Sequence, residues 1–232
     1  MNGAPPPIHV RLDEIRQRIE QAAARSGRAP GQVTLVGASK TVPAGVLAEV
    51  VRLGLHDLGE NRVQEAERKQ LELGADGQRV RWHMIGHLQR NKVKKAVEIF
   101  DVIQSLDGPE LADEIARRGS VDGAMPVLIE VNASGEATKF GVAPEQVEPL
   151  LEKCRSLPGL QVDGLMTIGR PVERPEDART DFVRLRELRD RCERSLGLQL
   201  PQLSMGMSGD FEVAIEEGAT LVRVGSALFG QR

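Results

Sequence analysis

Residues 126–166 read PVLIEVNASGEATKFGVAPEQVEPLLEKCRSLPGLQVDGLM, and their order decides the fold. Pro126-Val127-Leu128-Ile129-Glu130-Val131 is apolar almost throughout, the pattern of a strand covered on both faces. Residues 144–155 carry a helical pattern with proline at its start, and residues 162–166 are again strand-like. A strand, a helix of this length and a second strand imply parallel pairing through a right-handed crossover.

The same unit recurs on both sides. Upstream, strands are expected over residues 33–38, 57–59, 80–85 and 102–104, with helices over 46–53, 62–73, 91–100 and 109–118. Downstream, a helix over 175–195, a strand over 202–205, a helix over 211–217 and a strand over 220–224 complete the series. Leu12, Ile15, Ile19 and Ala22 lie at helical spacing in a leading amphipathic helix. Eight strand–helix units in sequence predict an α/β fold, a single closed TIM-type (β/α)8 barrel. An open doubly wound sheet is the alternative, but its G-x-G-x-x-G fingerprint after the first strand is missing.

Composition narrows the function. A chain of 232 residues suits one barrel, so residues 1–232 are read as one domain, with 1–7 as a flexible tail. The net charge of −3 offers no general attraction for nucleic acid or acidic lipid. Lys92-Val93-Lys94-Lys95 reads as a solvated helix face, and with no tyrosine and few aromatics there is no stacking platform for single strands. Cys154 and Cys192 lack metal-type spacing and read as reduced, buried thiols. With no export signal and no membrane-length apolar run, a soluble, cytoplasmic protein is expected.

The strand ends of a barrel carry its active site. Those ends read Ser39-Lys40, Glu60-Asn61, His83 to Gly86, Ser105, Asn132, Thr167, Ser204 and Arg223. Lys40 ends an apolar strand, where partial burial would favour the neutral amine that a Schiff base requires. A lysine beside a loop ordinarily snorkels to solvent, and taken alone that reading prevails. The last quarter shifts the balance. Ser204-Met205-Gly206-Met207-Ser208-Gly209-Asp210 and Gly225-Ser226 let backbone N–H groups approach an anion, where barrels often bind phosphate. Ordinary turn chemistry, with Ser208 as a helix N-cap, is compatible with that role. Arg223 either pairs with a core carboxylate or donates to the ring nitrogen of a cofactor. In the second role it would leave that nitrogen unprotonated and the ring a weak electron sink.

With these residues in place, the sequence resembles the YggS/PROSC family of pyridoxal phosphate homeostasis proteins, nearly end to end. The resemblance is carried by Val36-Gly37-Ala38-Ser39-Lys40-Thr41, Leu58-Gly59-Glu60-Asn61-Arg62-Val63-Gln64-Glu65 and Trp82-His83-Met84-Ile85-Gly86-His87-Leu88-Gln89-Arg90-Asn91-Lys92. Gly164-Leu165-Met166-Thr167, Leu203-Ser204-Met205-Gly206-Met207-Ser208 and Val222-Arg223-Val224-Gly225-Ser226-Ala227-Leu228-Phe229-Gly230 extend it. It implies a barrel like the N-terminal domain of alanine racemase and pyridoxal 5′-phosphate (PLP) as an aldimine on Lys40. It further implies Arg223 facing the pyridine nitrogen, Ser208, Gly225 and Ser226 on the phosphate, and Asn61 and Met205 lining the ring pocket. Members bind and release the cofactor in vitamin B6 homeostasis, without a settled reaction. PLP-dependent apo-enzymes are the receivers this implies, and a monomer is expected. His87 after Gly86 and Thr167-Ile168-Gly169 depart from the usual forms and bear on the rim.

The enzyme alternative is a PLP-dependent amino-acid racemase, which needs an acid/base group on each face of the substrate. In alanine racemases the base opposite the lysine is a tyrosine from a separate domain, and this chain has none. A histidine such as His83 could substitute, though a core role suits it better. A barrel aldolase using Lys40 without a cofactor is a second alternative. Metal hydrolysis through His83 and His87 lacks a third ligand and is discounted. Lys139, after the fifth strand, reads as an exposed loop lysine, with a role as transient cofactor acceptor as the alternative.

Overall fold

The computed structural model describes residues 5–119, 123–136, 139–170 and 172–230. Eight strands, β1 (Thr34–Ala38), β2 (Asp57–Glu60), β3 (Arg81–Met84), β4 (Val102–Leu106), β5 (Met125–Glu130), β6 (Leu160–Met166), β7 (Gln202–Ser204) and β8 (Leu221–Val224), close a barrel in chain order. Every neighbouring pair is parallel, and β8 returns to β1. α1 (Ile8–Arg25) precedes the barrel, and α2 (Ala44–Arg52), α3 (Val63–Leu73), α4 (Val93–Ile99), α5 (Pro109–Arg118), α6 (Val147–Arg155), α7 (Arg179–Leu196) and α8 (Phe211–Glu216) connect its strands. A four-residue helix, α9 (Ser226–Phe229), follows β8.

The expected barrel is present, with element ends displaced by a few residues. The helices expected from residues 91, 144 and 175 open as 3-10 turns before α4, α6 and α7, a common tightening where first-turn N–H groups have no intrahelical partner. α9 was not expected, because four residues are too few to show a helical period. Of the expected tail, residues 1–4 lie outside the described residues, and Pro5, Pro6 and Pro7 are exposed without regular structure.

Strand register sorts the core into two layers. Most buried apolar residues lie in one cluster, from Leu12 and Ile15 of α1 to Phe182 of α7 and Leu203 of β7. A separate cluster of Val36, Leu128, Met166 and Leu221 fills the lumen. Side chains alternate along a strand and paired residues share a face. Val36 pairs with Arg223, Glu130 with Met166 and Met166 with Ser204, so Arg223, Glu130 and Ser204 also face the lumen. Ala38 pairs with Gly59, Gly59 with His83 and His83 with Val102, which brings His83 and Gln104 to the same face. The lumen thus sets polar side chains directly beside apolar ones.

α1 packs across the outside of the α8–α9 corner, where Arg18 grips Glu212 through two hydrogen bonds of 2.9 and 2.8 Å. Cys154 and Cys192 are buried and free, as expected, and burial pushes the Cys154 thiol up to about 11. No helix among the described residues is long and apolar enough to cross a membrane.

Gly164 shows how closely β6 and β7 approach. A Cβ at that position would lie 1.9 Å from the Gln202 carbonyl oxygen, a contact only backbone movement can relieve. Gly164→Ala is expected to lower stability by roughly 3 kcal/mol. Gly31→Ala, with nothing within 4 Å, is expected to stay near wild type. Urea unfolding midpoints of the two variants measure the difference.

Candidate functional site

At the end of β1 the backbone turns sharply. Ser39 N–H donates to the Gly59 carbonyl and Val42 N–H to the Ser39 carbonyl, both at 2.9 Å. Thr41, with φ of 62°, is left-handed, a conformation costing a β-branched residue roughly 1–2 kcal/mol. Lys40 lies in this turn, two residues beyond the end of β1. Lys40 is exposed, so the partial burial expected of it is not found.

On β8, the neighbour of β1, Arg223 pairs with Val36, four residues before Lys40. Its side chain is buried (4% exposed). One guanidinium NH2 group donates to Ser204 Oγ at 2.5 Å and the other to the Thr167 carbonyl at 2.8 Å. Burial pulls Arg223 down to about 10, against the opposing charges of Glu130 and Asp210, so it stays protonated at neutral pH. Ser204 Oγ in turn donates to Gln104 Oε1 at 2.6 Å, and Gln104 Nε2 lies 2.9 Å from His83 Nδ1. His83 Nε2 lies 2.9 Å from Asp57 Oδ1. With this amide orientation Nδ1 accepts and Nε2–H donates, giving one directional chain from guanidinium to carboxylate through the lumen.

The loops after β7 and β8 form the third part. Ser208 Oγ accepts from Gly225 N–H at 3.1 Å and from Ala227 N–H at 3.2 Å. Two backbone donors therefore converge on one oxygen, the geometry a phosphate oxygen requires. Gly225 leaves little room for a side chain, since a Cβ there would lie 3.3 Å from the Ala38 carbonyl oxygen. The N-cap role expected for Ser208 is not observed. Asp210 holds the N-cap position of α8, and its Oδ1 accepts from Met207 N–H at 2.6 Å. Ser226 is exposed beside the cradle.

The remaining expected residues divide. Asn61 is half-buried at the end of β2, and Gly86 makes room for it: a Cβ there would fall 2.7 Å from the Asn61 carbonyl oxygen. Met205 is fully buried within the main apolar cluster, so its side chain is placed behind the sheet and not with the lumen residues. Ser204 is likewise fully buried, with its hydroxyl occupied by Gln104 and Arg223; it supports the arginine and does not open to the mouth. His83 and His87 diverge. His87 bonds Asp107 at 2.9 Å and stacks on Phe140 with ring centroids 4.1 Å apart, at the rim. Lys139 is not the exposed lysine expected, since its side chain is 20% exposed and its Nζ lies 3.0 Å from Glu136.

Comparison with known proteins places this arrangement. The family model described as the alanine racemase N-terminal domain matches residues 10–232. The chain is 50% identical over 223 residues to the pyridoxal phosphate homeostasis protein of Aquifex aeolicus, covering 96% of this chain and 97% of that one. It is 44% identical over 227 residues to the protein of the same name from Pseudomonas aeruginosa, covering 97% and 96%. The chain belongs to the family of pyridoxal phosphate homeostasis proteins. PipY of Synechococcus elongatus, solved with PLP bound, is 34% identical with a TM-score of 0.83, over 97% of this chain and 100% of that one. Alanine racemase from Corynebacterium glutamicum, at 16% identity and a TM-score of 0.65, shares the fold alone, and this chain covers 62% of its length.

Three residues of this homeostasis-family site escaped the sequence reading. Gln104 links His83 to Ser204, Lys69 of α3 holds the Lys40 turn from behind, and Glu130 faces Arg223 across the lumen. A polar residue on the alternating face of a buried strand was the available signal for Gln104 and Glu130. Lys69 carries none, because Glu65 and Lys69 read as an ordinary surface pair four residues apart on a helix.

Glu130 is 3% exposed. Burial first, and then the Asp107 charge, raise its carboxyl from 4.5 to about 7, while Arg223 pulls the other way. The folded protein therefore holds a proton that the unfolded chain has lost between those values, and stability falls as pH rises through that window. Glu130→Gln is expected to flatten the loss, recovering roughly 3 kcal/mol at pH 8 relative to pH 4. Chemical denaturation across that range checks it, and parallel profiles for wild type and variant would contradict the assignment.

Proposed function

We propose that this chain binds PLP at the barrel mouth, holds it through a Schiff base on Lys40, and serves as an intracellular carrier in vitamin B6 homeostasis. The observation that supports the reading is that the paired strands β1 and β8 carry its three parts: Lys40 two residues past the end of β1, buried Arg223 on β8, and, just after β8, the amides of Gly225 and Ala227 aimed at one oxygen. When bound, PLP supplies an aldehyde that condenses with a primary amine and a ring that withdraws electrons. Gly225 N–H, Ala227 N–H and the Ser208 and Ser226 hydroxyls would hold the phosphate, and Asn61 would lie beside the ring.

The preference for carriage over turnover rests on Arg223. A guanidinium donates and cannot hand over its proton at neutral pH even when burial brings it to about 10. It would hold the ring nitrogen by a hydrogen bond while leaving it unprotonated, which weakens electron withdrawal and disfavours carbanion chemistry. No tyrosine is present to act as the second base of a racemase. Apo forms of PLP-dependent enzymes are the receivers that this reading points to.

The test is spectroscopic. Protein mixed with PLP is expected to show an absorbance band near the visible edge, and borohydride reduction followed by peptide mapping to place the label on the Lys40 peptide. Label found mainly on Lys139 would overturn the Lys40 assignment. Ser208→Ala is expected to weaken PLP binding about tenfold, the loss of one charge-assisted hydrogen bond. A panel of amino acids should give neither racemisation nor decarboxylation, and turnover of any of them at enzyme-like rates would overturn the carrier half of the proposal.

A further inference from the structure

The segment that carries Lys40 is held from outside the barrel by a buried lysine. Lys69, on α3, is 1% exposed. Its ammonium donates to the Ser39 carbonyl at 2.7 Å, to Glu60 Oε1 at 2.6 Å and to Glu65 Oε1 at 2.7 Å, so all three of its N–H donors have partners. Glu65 Oε1 also accepts the Thr41 N–H at 2.5 Å. Ser39 Oγ donates to Glu60 Oε1 at 2.6 Å. The carbonyl just before Lys40 and the amide just after it are therefore tied to one cluster of charges.

Thr41 strengthens the case. Among the described residues it is the one non-glycine in the left-handed region, and it directly follows Lys40. Such a conformation persists only where surrounding contacts over-determine it, and the Glu65–Lys69 pair is the contact that grips it. Burial pushes the Glu60 carboxyl up against the pull of Lys69 and Ser39. Burial also pushes on Glu65, but its hydrogen bonds from Lys69 and Thr41 hold it below the usual carboxylate range. Glu65 is thus the firmer anion of the two, and it is the one joined to the Thr41 amide.

We propose that Lys69, acting through Glu65, is a positioning residue for Lys40: by fixing Ser39 and Thr41 it sets how the amine is presented to the barrel mouth. The inference rests on the reading of Lys40 given above. In that reading the neutral Lys40 amine forms a C=N bond with the aldehyde carbon, and its two hydrogens leave with the aldehyde oxygen as water. A clamp on the flanking backbone governs the rate of that step and leaves phosphate capture alone.

Glu65→Ala is the first variant, because Glu65 is only partly buried; Lys69→Met, which strands two carboxylates, is the second. In Glu65→Ala the Thr41 amide is expected to exchange with deuterium about tenfold faster. The absorbance band with PLP is expected to form about tenfold more slowly, with less borohydride label on the Lys40 peptide. Affinity for inorganic phosphate should stay within about twofold of wild type. Glu65→Gln, whose amide oxygen can still accept from Thr41, should recover part of the rate. Ile115→Val on α5, a mild core destabilisation remote from the mouth, should leave the rate unchanged. Wild-type band formation and labelling in Glu65→Ala would overturn the proposal, whether or not Thr41 exchange had changed. Absence of Lys40 label in the wild-type protein would instead defeat the assignment of Lys40 itself, and this inference with it.

Discussion

The parallel pairing of β8 with β1 sets Val36 opposite Arg223 and Gly37 opposite Val224, and the mouth of the barrel depends on that seam. In an open sheet of the same strand order, the first and last strands would be the two far edges. Lys40 would then stand a whole sheet away from Arg223 and from the amides of Gly225 and Ala227. Closure makes neighbours of groups separated by more than 180 residues of chain, at the carboxyl ends where a barrel exposes its loops.

Holding a guanidinium inside that closed lumen carries an electrostatic cost, and the interior is arranged to offset it. Arg223 is satisfied by Ser204 and the Thr167 carbonyl and faced by Glu130 and Asp210, two carboxyls that burial pushes upward. From Ser204 the hydrogen bonds run through Gln104 and His83 to Asp57 with each donor meeting an acceptor. Such a network is strong only while complete, since a missing member leaves a buried polar group without a partner. It also accounts for His83, whose two ring nitrogens are occupied in the lumen and are not offered to a metal or a substrate.

The same barrel serves the alanine racemase likeness and the homeostasis-protein family, and the difference lies in the site. The chain covers nearly the whole of its homeostasis relatives and about three-fifths of the racemase. The basic group on β8 is common to the argument for binding and the argument against turnover. A protonated guanidinium is a good anchor for a ring nitrogen and a poor source of a proton for it.

By itself the sequence determined the alternation of strands and helices, and with it the barrel, because strand and helix periods are local properties of the chain. It also singled out Lys40 and Arg223 at strand ends and Ser208 in the loop after β7. It did not fix where the side chains of Met205 and Ser204 sit, since the inward or outward sense of a residue at a strand end follows from register with its neighbours. It gave no sign that Lys69 and Glu65 act on the Lys40 turn, because their contacts cross from a helix to a strand end 30 residues away in the chain. Gln104 and Glu130 acquired their meaning only when closure set them around Arg223. Which polar groups meet in a lumen is a property of the closed sheet, decided by packing and register, and no single segment carries it.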